Sequence, residues 1–535
     1  MSVLRAIRSA IRRPFSIVFH RVTGMSPRLR EAEAALREGD PERAVSLLAG
    51  LTQPTAADPA KTSRWQRFIA GTSDRLAVAA IYAVMGRSHR WPIVDVAERR
   101  ISGHVSETDP RWSPRVPGVP EPLAPVDRRR VLHVLKESRP HRQSGYTVRS
   151  AYNVTTIRDA GWDPVVLTPL GFPRWRTGRM GPAVEDVDGV RYHRLDPGPA
   201  YPTDAPADVY LEDFTWRAAE VVRTERPAIL HASSGFRGYE LALVALALGR
   251  HFDLPMVYEV RGLFDAPAHA VEHERYRRRA ATEVRTMLAA DAVVTLAETM
   301  RGDIVERGVP DDKVFVVPNG VDAETFVPMA PDPSIRARYR LGDRFVIGYI
   351  SNLDHPREDH ESLIAATSRL AAAGRDVACL IVGDGTRREA LERIARASGA
   401  ADRIVFTGQV PHEEVRPMYA TIDAFVVPRK DERAARLVTP LKPYEAMAMA
   451  RPLIVADLPA LTEIAPDGVR SLTYPTGDAA GLAAAVARFM DDRELARRLA
   501  SAGRDWVVTE RSWAANAPRW DAVYRSVLEG RGVSA

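Results

Sequence analysis

Short apolar runs alternate with longer amphipathic stretches over most of the chain after about residue 130. Short apolar runs between turn residues are typical of buried strands, and longer segments with apolar positions three or four apart are typical of helices. The predicted strands are 131–137, 164–169, 190–195, 228–233, 255–261, 292–297 and 314–320, and then 345–351, 377–385, 404–410, 424–429 and 452–457. The predicted helices between them include 266–290, 360–373, 386–398 and 478–502.

This alternation predicts an α/β fold with two parallel sheets, each covered by helices on both faces. The two sets of strands separate near residues 322–339. We therefore expect two facing Rossmann-like domains, at 130–328 and 329–508. Ligands of open α/β sheets bind beyond the carboxyl ends of the strands, so the crevice between the domains is the expected site.

The first 105 residues predict an extra N-terminal α-helical region. Residues 27–50 are typical of a helical hairpin, which can pack on a neighbouring domain or a protein partner. Residues 106–129 contain six prolines and predict a linker. Residues 1–24 contain five arginines, no acid and apolar positions on one helical face, which predicts peripheral contact with an anionic membrane surface. A helix packed on protein is the alternative.

Composition narrows the class of protein and its partners. Hydrophobic residues make up 45% and charged residues 27% of the 535 positions, as in ordinary globular proteins. Cys379 is the one cysteine, so an intrachain disulfide is excluded and a cytoplasmic location is expected. A more specific expectation is the inner face of the plasma membrane. The net charge of +6 is not gathered into a basic, aromatic-rich block, which argues against a nucleic-acid partner. The longest apolar stretch, Leu241 to Gly249, is too short to span a bilayer.

Two glycine-containing loops follow predicted strands and precede helices. In "SGYTVRS" (144–150), Gly145 lets the backbone approach a ligand, and the free amides of the helix that starts near Tyr146 favour an anion. The segment lacks G-x-G-x-x-G, so a nicotinamide cofactor is not expected. In "IVGDG" (381–385), Gly383 opens a loop where a phosphate or a base can sit. The alternatives are a plain strand–helix turn and simple helix capping.

The segment "TPLKPYEAMAMA" (439–450) places Lys442 and Glu445 at the start of a helix. A lysine beside free amides can bind a diphosphate, and a carboxylate accepts the two hydroxyls of a ribose or sugar. The pair therefore fits a sugar nucleotide. The alternative is a local salt bridge, which stabilises a helix by only about 0.2–0.5 kcal/mol.

Taken together, these segments resemble glycosyltransferase family 4, retaining enzymes of the GT-B fold. The resemblance extends from Arg130 to Tyr524, and its other parts are "YEVRG" (258–262), "VVPNGVD" (316–322) and "FTGQVPHEEVRPMYATIDAFVVP" (406–428). It implies transfer of a sugar, with retention and without a metal or other cofactor, from a UDP- or GDP-linked donor to a glycan or lipid-linked acceptor, as in cell-surface polysaccharide synthesis. The donor would bind mainly the second domain and the acceptor the first, with residues 509–535 crossing back to the first domain.

The resemblance assigns roles to individual residues. The candidate catalytic residues are His231, Lys442 and Arg357; the candidate nucleotide-sugar-binding residues are Gly145, Tyr146, Asn352, Gly383, Val410, Lys442 and Glu445; and the acceptor-side candidates are Glu259, Arg261 and Ser233. Val410 would offer its backbone to the nucleotide base, Glu445 would bind the ribose and Lys442 the phosphates.

The sequence departs from the family pattern at several of these positions. Leu437 stands where the first glutamate of a two-glutamate motif is expected, and Ser233 where a second histidine is expected. Asn352 stands for an arginine and Glu358-Asp359 for a Lys-Gly pair, with Arg357 one position away. Two alternatives to a transferase therefore stay open. One is a sugar-nucleotide epimerase of the same fold, and the other is a catalytically weak relative that serves as a binding or scaffolding subunit.

Overall fold

The computed structural model describes residues 103–198, 201, 205–235, 238–262 and 274–531. The predicted amphipathic helix at 1–24 and the helical hairpin at 27–50 lie outside the described residues. Within the described part of the chain, no helix is both long enough and apolar enough to cross a membrane.

The first domain is built on an eight-stranded sheet. Its strands are β1 (Arg130–Val134), β2 (Asp163–Thr168), β3 (Val184–Val187), β4 (Val190–Arg194), β5 (Ile229–Ser233), β6 (Met256–Glu259), β7 (Ala292–Thr295) and β8 (Val314–Val316). Their order is β3-β4-β2-β1-β5-β6-β7-β8, and β3 alone runs antiparallel to its neighbour. The carboxyl ends of β1, β5 and β6 therefore lie side by side at one edge.

Helices connect these strands. They are α1 (Gly145–Asp159), α2 (Arg174–Thr177), α3 (Ala207–Glu225), α4 (Glu240–Phe252), α5 (Glu274–Ala289) and α6 (Glu298–Glu306). Helix α4 is apolar over nearly all its length and almost completely buried, which explains why "LALVALALG" is continuous without being a membrane span. Helix α1 differs, because its buried face carries Thr147, Arg149, Ser150 and Asn153.

The second domain is built on a six-stranded parallel sheet. Its strands are β9 (Phe345–Ile350), β10 (Val377–Val382), β11 (Ile404–Gly408), β12 (Ala424–Val427), β13 (Leu453–Ala456) and β14 (Leu472–Tyr474), in the order β11-β10-β9-β12-β13-β14. The helices that follow β8 are α7 (Pro333–Arg338), α8 (His360–Ala372), α9 (Arg388–Ala397), α10 (Val415–Thr421), α11 (Arg433–Leu437), α12 (Lys442–Ala448), α13 (Pro459–Ile464), α14 (Ala479–Asp491), α15 (Arg493–Glu510) and α16 (Ala517–Gly530).

The prediction of two parallel sheets is confirmed, and the differences are local. The edge strands β3 and β14 were not predicted. Strand β3, "VEDV", has polar central residues, and β14, "LTY", is short and has a polar threonine at its centre. The predicted helix 478–502 is two helices, because Asp492 ends the first and caps the second by accepting a hydrogen bond from Leu495 N (2.8 Å). Cys379 lies fully buried in β10, and burial raises the pKa of its thiol to about 12, so the thiol is an inert core group.

Among the described residues, 103–114, 201, 205–213 and 274–282 form a separate compact unit, which includes a helix at 103–107, the start of α3 and the first part of α5. Both sheets belong to the larger unit, together with the proline-rich segment from residue 115 onward. This segment is not free, because Glu121 N and Leu123 N donate hydrogen bonds to His251 O (2.7 Å) and Phe252 O (3.0 Å) at the end of α4. This part of the predicted linker therefore lies against the end of α4 in the first domain.

The C-terminal helix α16 completes the core of the first domain. Trp520, Val523 and Tyr524 of this helix are buried against residues of β1, β5, β6 and β7. The Trp162 ring, which precedes β2, lies edge-on to Tyr524 at 4.9 Å between ring centres. The last helix thus packs on the first sheet, although it follows the second domain in the chain.

We expect Trp520→Ala to lower the free energy of unfolding of the first domain by about 3–5 kcal/mol, because the indole is completely buried and its loss leaves a cavity. Urea denaturation followed by far-UV circular dichroism measures this change. Trp216→Ala is the matched control, since this indole is 53% exposed and its loss should change stability by no more than about 0.5 kcal/mol. Equal effects of the two substitutions would contradict the assignment of α16 to the core.

Candidate functional site

The starts of helices α1 and α12 lie against each other at the expected site. Ser144 caps α1 in a reciprocal pair of hydrogen bonds with Thr147, and the first turn of α1 contains no acid. A Cβ atom on Gly145 would lie 3.5 Å from Leu441 Cδ1, in ordinary contact with the residue that precedes α12. The structure therefore brings together the Gly145 loop of the first domain and the Lys442 segment of the second.

A fully buried carboxylate, that of Glu259 at the end of β6, organises the first-domain edge. Oε1 accepts hydrogen bonds from Arg149 Nε (2.8 Å) and Asn153 Nδ2 (3.1 Å), and Oε2 accepts from Ser233 Oγ (2.8 Å) and Arg261 Nε (2.8 Å). Burial by itself would raise the pKa of Glu259, but the guanidinium groups of Arg261 and Arg149 outweigh it and hold the pKa well below its ordinary range.

The three acceptor-side candidates lie in this network. Glu259 and Ser233 are completely buried and bonded to each other. Arg261 reaches the surface only in part, and its Nη1 donates to Ser150 Oγ (2.6 Å) and Tyr146 O (3.2 Å) at the start of α1. Glu259 and Arg261 thus bond directly to residues of α1, and Ser233 bonds to Glu259.

His231 is also a buried residue. Its Nδ1 lies 2.8 Å from the hydroxyl of Tyr524 in α16, its Nε2 lies 3.5 Å from Glu259 Oε2, and its ring packs on His133 and Trp520. Burial lowers its pKa, which favours the neutral imidazole. The structure therefore places this catalytic candidate in the core, next to Glu259.

A hydrogen-bonded chain runs from Glu259 to the second domain. Arg149 donates to Val317 O (2.8 Å), Pro318 O (3.0 Å) and Asn319 Oδ1 (3.1 Å), and Asn319 Nδ2 donates to Thr439 O (2.8 Å), three residues before Lys442. Asn319 is almost completely buried. The Pro-Asn-Gly turn, ordinary on its chemistry alone, is thus a bridge between the domains.

Glu463 forms a second bridge. Its carboxylate, in α13 of the second domain, accepts hydrogen bonds from Glu298 N (2.9 Å) and Thr299 N (3.0 Å) at the start of α6. Leu437, which stands where the family pattern has a glutamate, ends α11, and its carbonyl accepts a bond from Thr299 Oγ1 (3.3 Å). The departure at Leu437 therefore lies at a domain contact.

On the second-domain side, Glu445 and Lys442 occupy the first turn of α12. Glu445 Oε2 accepts a hydrogen bond from the hydroxyl of Tyr419 (2.6 Å), which fixes the carboxylate, and its other oxygen makes no hydrogen bond with the described residues. Lys442 is half-buried and makes no hydrogen bond or ion pair with any described residue. The local Lys442–Glu445 salt bridge is absent among these residues, so that alternative is not supported.

Lys442 is one of three cations around the buried acid Glu358. Glu358 accepts bonds from the Tyr349 hydroxyl and from Arg429 Nη2 (3.2 Å), and Arg357 Nε lies 3.7 Å from it. Burial opposes ionisation of Glu358, but the charges of Arg429 and Lys442, with the Tyr349 bond, lower its pKa. The cluster Arg357, Arg429, Lys442 and Glu358 therefore has a net charge of about +2 when all four are ionised.

Gly383, Asn352 and Val410 lie at the carboxyl edge of the second sheet, and each makes contacts within the protein. A Cβ atom on Gly383 would lie 1.9 Å from Ser351 O, so glycine is required there for close contact between two loops. Asn352 is exposed, and its Oδ1 accepts from Asp354 N (2.7 Å) within its own loop. Val410 is half-buried and packs on the second-domain core.

Sequence reasoning did not assign a role to Arg149, Asn319, Arg429 or Tyr419. Arg149 could have been found, because a helix with a buried face of polar residues is unusual and indicates a polar network. Arg429 follows β12 by two residues and so lies at the carboxyl edge where ligands bind. Its contact with Glu358 joins residues 71 positions apart and depends on the fold.

Two family models match the chain. "Glycosyl transferase 4-like domain" matches residues 144–320, and "Glycosyl transferases group 1" matches residues 344–492. These ranges fall within the parts of the chain that carry the first and the second sheet.

Characterised relatives include several sugar-transferring enzymes. Glycogen synthase of Mycobacterium tuberculosis is 28% identical over 311 residues, 58% of this chain and 71% of the relative. The GDP-mannose-dependent alpha-(1-6)-phosphatidylinositol monomannoside mannosyltransferase of Mycolicibacterium smegmatis is 31% identical over 43% of this chain and 61% of the relative. Alpha-D-kanosaminyltransferase of Streptomyces kanamyceticus is 26% identical over 57% and 79%.

Solved structures share the fold. Sucrose-phosphate synthase from Thermosynechococcus elongatus superposes with a TM-score of 0.60 at 21% identity, covering 75% of this chain and 99% of that one. Anabaena HepE in complex with UDP superposes with a TM-score of 0.56 at 14% identity, again over 75% and 99%. At these identities the likeness shows the fold alone, and the predicted GT-B architecture is confirmed.

We expect Glu259→Gln to destabilise the protein by about 3–5 kcal/mol, because it leaves two buried guanidinium groups without a counter-ion. Because the folded-state pKa of Glu259 is depressed, this contribution is complete at neutral pH and is lost as the pH falls below the ordinary glutamate range. Thermal denaturation at pH 7 measures it.

The control is Glu494→Gln, since Glu494 and Arg497 form an ion pair (2.8 Å) in which both side chains are 74% exposed. Its effect should stay below about 1 kcal/mol. A Glu259→Gln protein as stable as this control would show that the carboxylate does not hold the site together.

Proposed function

We propose a function for this chain from the premise that it belongs to glycosyltransferase family 4 and is a glycosyltransferase of the GT-B fold. It moves a sugar from a nucleotide-sugar donor to a glycan or lipid-linked acceptor, with retention at the anomeric carbon. The donor binds at the carboxyl edge of the second sheet and the acceptor at the facing edge of the first.

The observation that carries this proposal is the excess of positive charge around Glu358. A nucleoside diphosphate leaves the transferred sugar with a growing negative charge, and fixed cations stabilise that charge where water is excluded. Arg429, Lys442 and Arg357 supply three such cations around one acid. They take the place of the arginine and lysine that the family pattern expects near Asn352 and Glu358.

The donor's nucleoside would lie beside these cations. Glu445, fixed by the Tyr419 hydroxyl, offers a carboxylate oxygen to the ribose hydroxyls. The backbone near Val410 would contact the base. Lys442 lies three positions before Glu445, so that one turn of α12 contacts both phosphate and ribose.

Retention requires that acceptor and leaving group share one face of the sugar. The transition state resembles an oxocarbenium ion, and the departing phosphate accepts the proton of the incoming hydroxyl. The first domain contributes the start of α1, which the Glu259 network holds against Leu441. Among the residues assigned as catalytic, Lys442 and Arg357 act on the leaving group, while His231 acts through Glu259 as a positioning residue.

The relatives support a nucleotide-sugar donor and a polymer or lipid acceptor. Their names include a glycogen synthase and a GDP-mannose-dependent enzyme that acts on a phosphatidylinositol mannoside. We extend this to a UDP- or GDP-linked donor and a role in cell-surface polysaccharide synthesis on the cytoplasmic side of the membrane. The basic segment 1–24 would supply peripheral membrane contact, and the hairpin 27–50 would bind a protein partner.

The donor site is tested with the purified full chain and a panel of UDP-, GDP- and dTDP-sugars, by thermal shift and release of nucleoside diphosphate. One donor should stabilise the protein, by about 2.7 kcal/mol at one hundred times its dissociation constant. Lys442→Ala and Glu445→Gln should each weaken this stabilisation and abolish most of the release.

Lys430→Ala is the matched control, because this lysine already pairs with Glu361 (3.6 Å) and Asp359 (4.0 Å). Its substitution should leave donor binding unchanged. Stabilisation by no donor, with identical behaviour of all three variants, would favour the scaffolding alternative. Interconversion of the donor sugar without transfer would favour an epimerase.

Membrane contact is tested by sedimentation with vesicles that contain anionic lipid. Deletion of residues 1–24 should reduce the bound fraction strongly, because the segment carries five arginines and no acid. Raised salt should have the same effect on the unaltered chain. Equal binding of the full and the shortened chain would contradict the assignment.

A further inference from the structure

Two cations at the carboxyl edge of the first sheet have no acidic ion-pair partner in the part of the chain that the structure describes. Lys136 lies two residues after β1, is half-buried and makes no side-chain hydrogen bond or ion pair with any described residue; its Nζ lies 5.2 Å from the centre of the Tyr146 ring. Arg139 lies 6.0 Å from the centre of the Tyr152 ring, and its buried Nε has no hydrogen-bond partner among the described residues. Ring contacts of this kind compensate only part of the loss of water around a cation.

Two acids act on Lys136, and a third, Asp322, accepts a hydrogen bond from the hydroxyl of Tyr152 (3.0 Å), the ring that Arg139 faces. Glu137 is buried and bound by Arg176 (2.7 Å), with Arg142 at 3.8 Å. Glu240 is the second acid whose charge reaches Lys136, and it too is buried. Cations therefore outnumber acids around the loop that joins β1 to α1.

Lys136 lies at the proposed acceptor side. Lys136 N donates to the Tyr146 hydroxyl (2.9 Å), and Tyr146 begins the helix whose start touches Leu441. Arg261 lies on the same tyrosine ring at 4.5 Å but is neutralised by Glu259. Tyr146 thus holds one paired and one unpaired cation at the edge that faces the donor domain.

We propose that Lys136 and Arg139 bind a phosphate group of the acceptor, so that the acceptor is a phosphorylated molecule rather than a neutral sugar. The inference rests on the proposed function, which assigns the acceptor to this edge. A phosphate monoester carries about 1.5–2 negative charges and three acceptor oxygens, which matches two unpaired cations. The hydroxyl groups of a neutral sugar would leave both cations without a counter-charge.

The same chemistry is offered by a soluble sugar phosphate and by the headgroup of a phospholipid. Two arms of one experiment separate these sources. The full chain is saturated with the nucleoside diphosphate that stabilises it best, and is then titrated with glycerol 3-phosphate or with a soluble short-chain phosphatidylglycerol, while the melting temperature is recorded. Glycerol and glucuronate are the neutral and the carboxylate comparisons.

At least one phosphate probe should stabilise the nucleotide-saturated protein further. Lys136→Gln and Arg139→Gln should each weaken its apparent affinity about tenfold, as expected for loss of a hydrogen bond to a charged group. Lys136→Arg should restore most of the affinity, because the charge returns. Lys313→Gln is the control, since this lysine of the same domain binds the carbonyls of Leu288 (3.3 Å) and Ala290 (3.1 Å) and should leave phosphate binding unchanged.

Three results would overturn the inference. The first is no effect of either phosphate probe. The second is an effect that survives the Lys136→Gln/Arg139→Gln double substitution. The third is a double variant that loses nucleotide binding instead, which would assign the cations to the donor. Failure of the unaltered chain to bind any nucleotide would contradict the proposed function separately. Titration without nucleotide would then still decide whether the two cations bind phosphate.

Discussion

The carboxylate of Glu259 accepts hydrogen bonds from two arginines, an asparagine and a serine, with no exposure to solvent. Each arginine then reaches a different element. Arg261 bonds to the start of α1, and Arg149 bonds to the carbonyls after β8 and to Asn319, which is bonded to the second domain. Because a buried charge must be compensated, the position of one carboxylate fixes the helix start, the crossing between domains and the approach to α12.

The second domain also contains a buried acid, but its charge balance is different. Glu259 has two arginines beside it, and their remaining donors are used by backbone and side-chain oxygens. Glu358 has Arg429, Arg357 and the charge of Lys442 around it, and Lys442 has no described partner. One acid therefore stabilises structure, while the other leaves positive charge available for a ligand. This distinction depends on how many cations converge on each acid and on whether they have other partners.

In the proposed site, Lys442 on one side and Lys136 and Arg139 on the other have no ion-pair partner among the described residues. An anionic group bound at either side would supply the missing counter-charge. The hydrogen bonds of Asn319 and Glu463 also join the two domains. The first is between uncharged groups, the second caps the start of α6, and neither involves a ligand.

The sequence by itself determined the two parallel sheets, their approximate strand bounds, the likeness to one family and the placement of Lys442 and Glu445 at a helix start. These follow from local patterns, namely runs of apolar residues, glycine and proline positions and short motifs. Only the tertiary structure decided that Glu259, Ser233 and His231 are buried and that Arg429 meets Glu358. It also decided that α16 belongs to the first core. Those facts depend on contacts between residues far apart in the chain, and local periodicity carries no information about which distant charge will compensate a buried one.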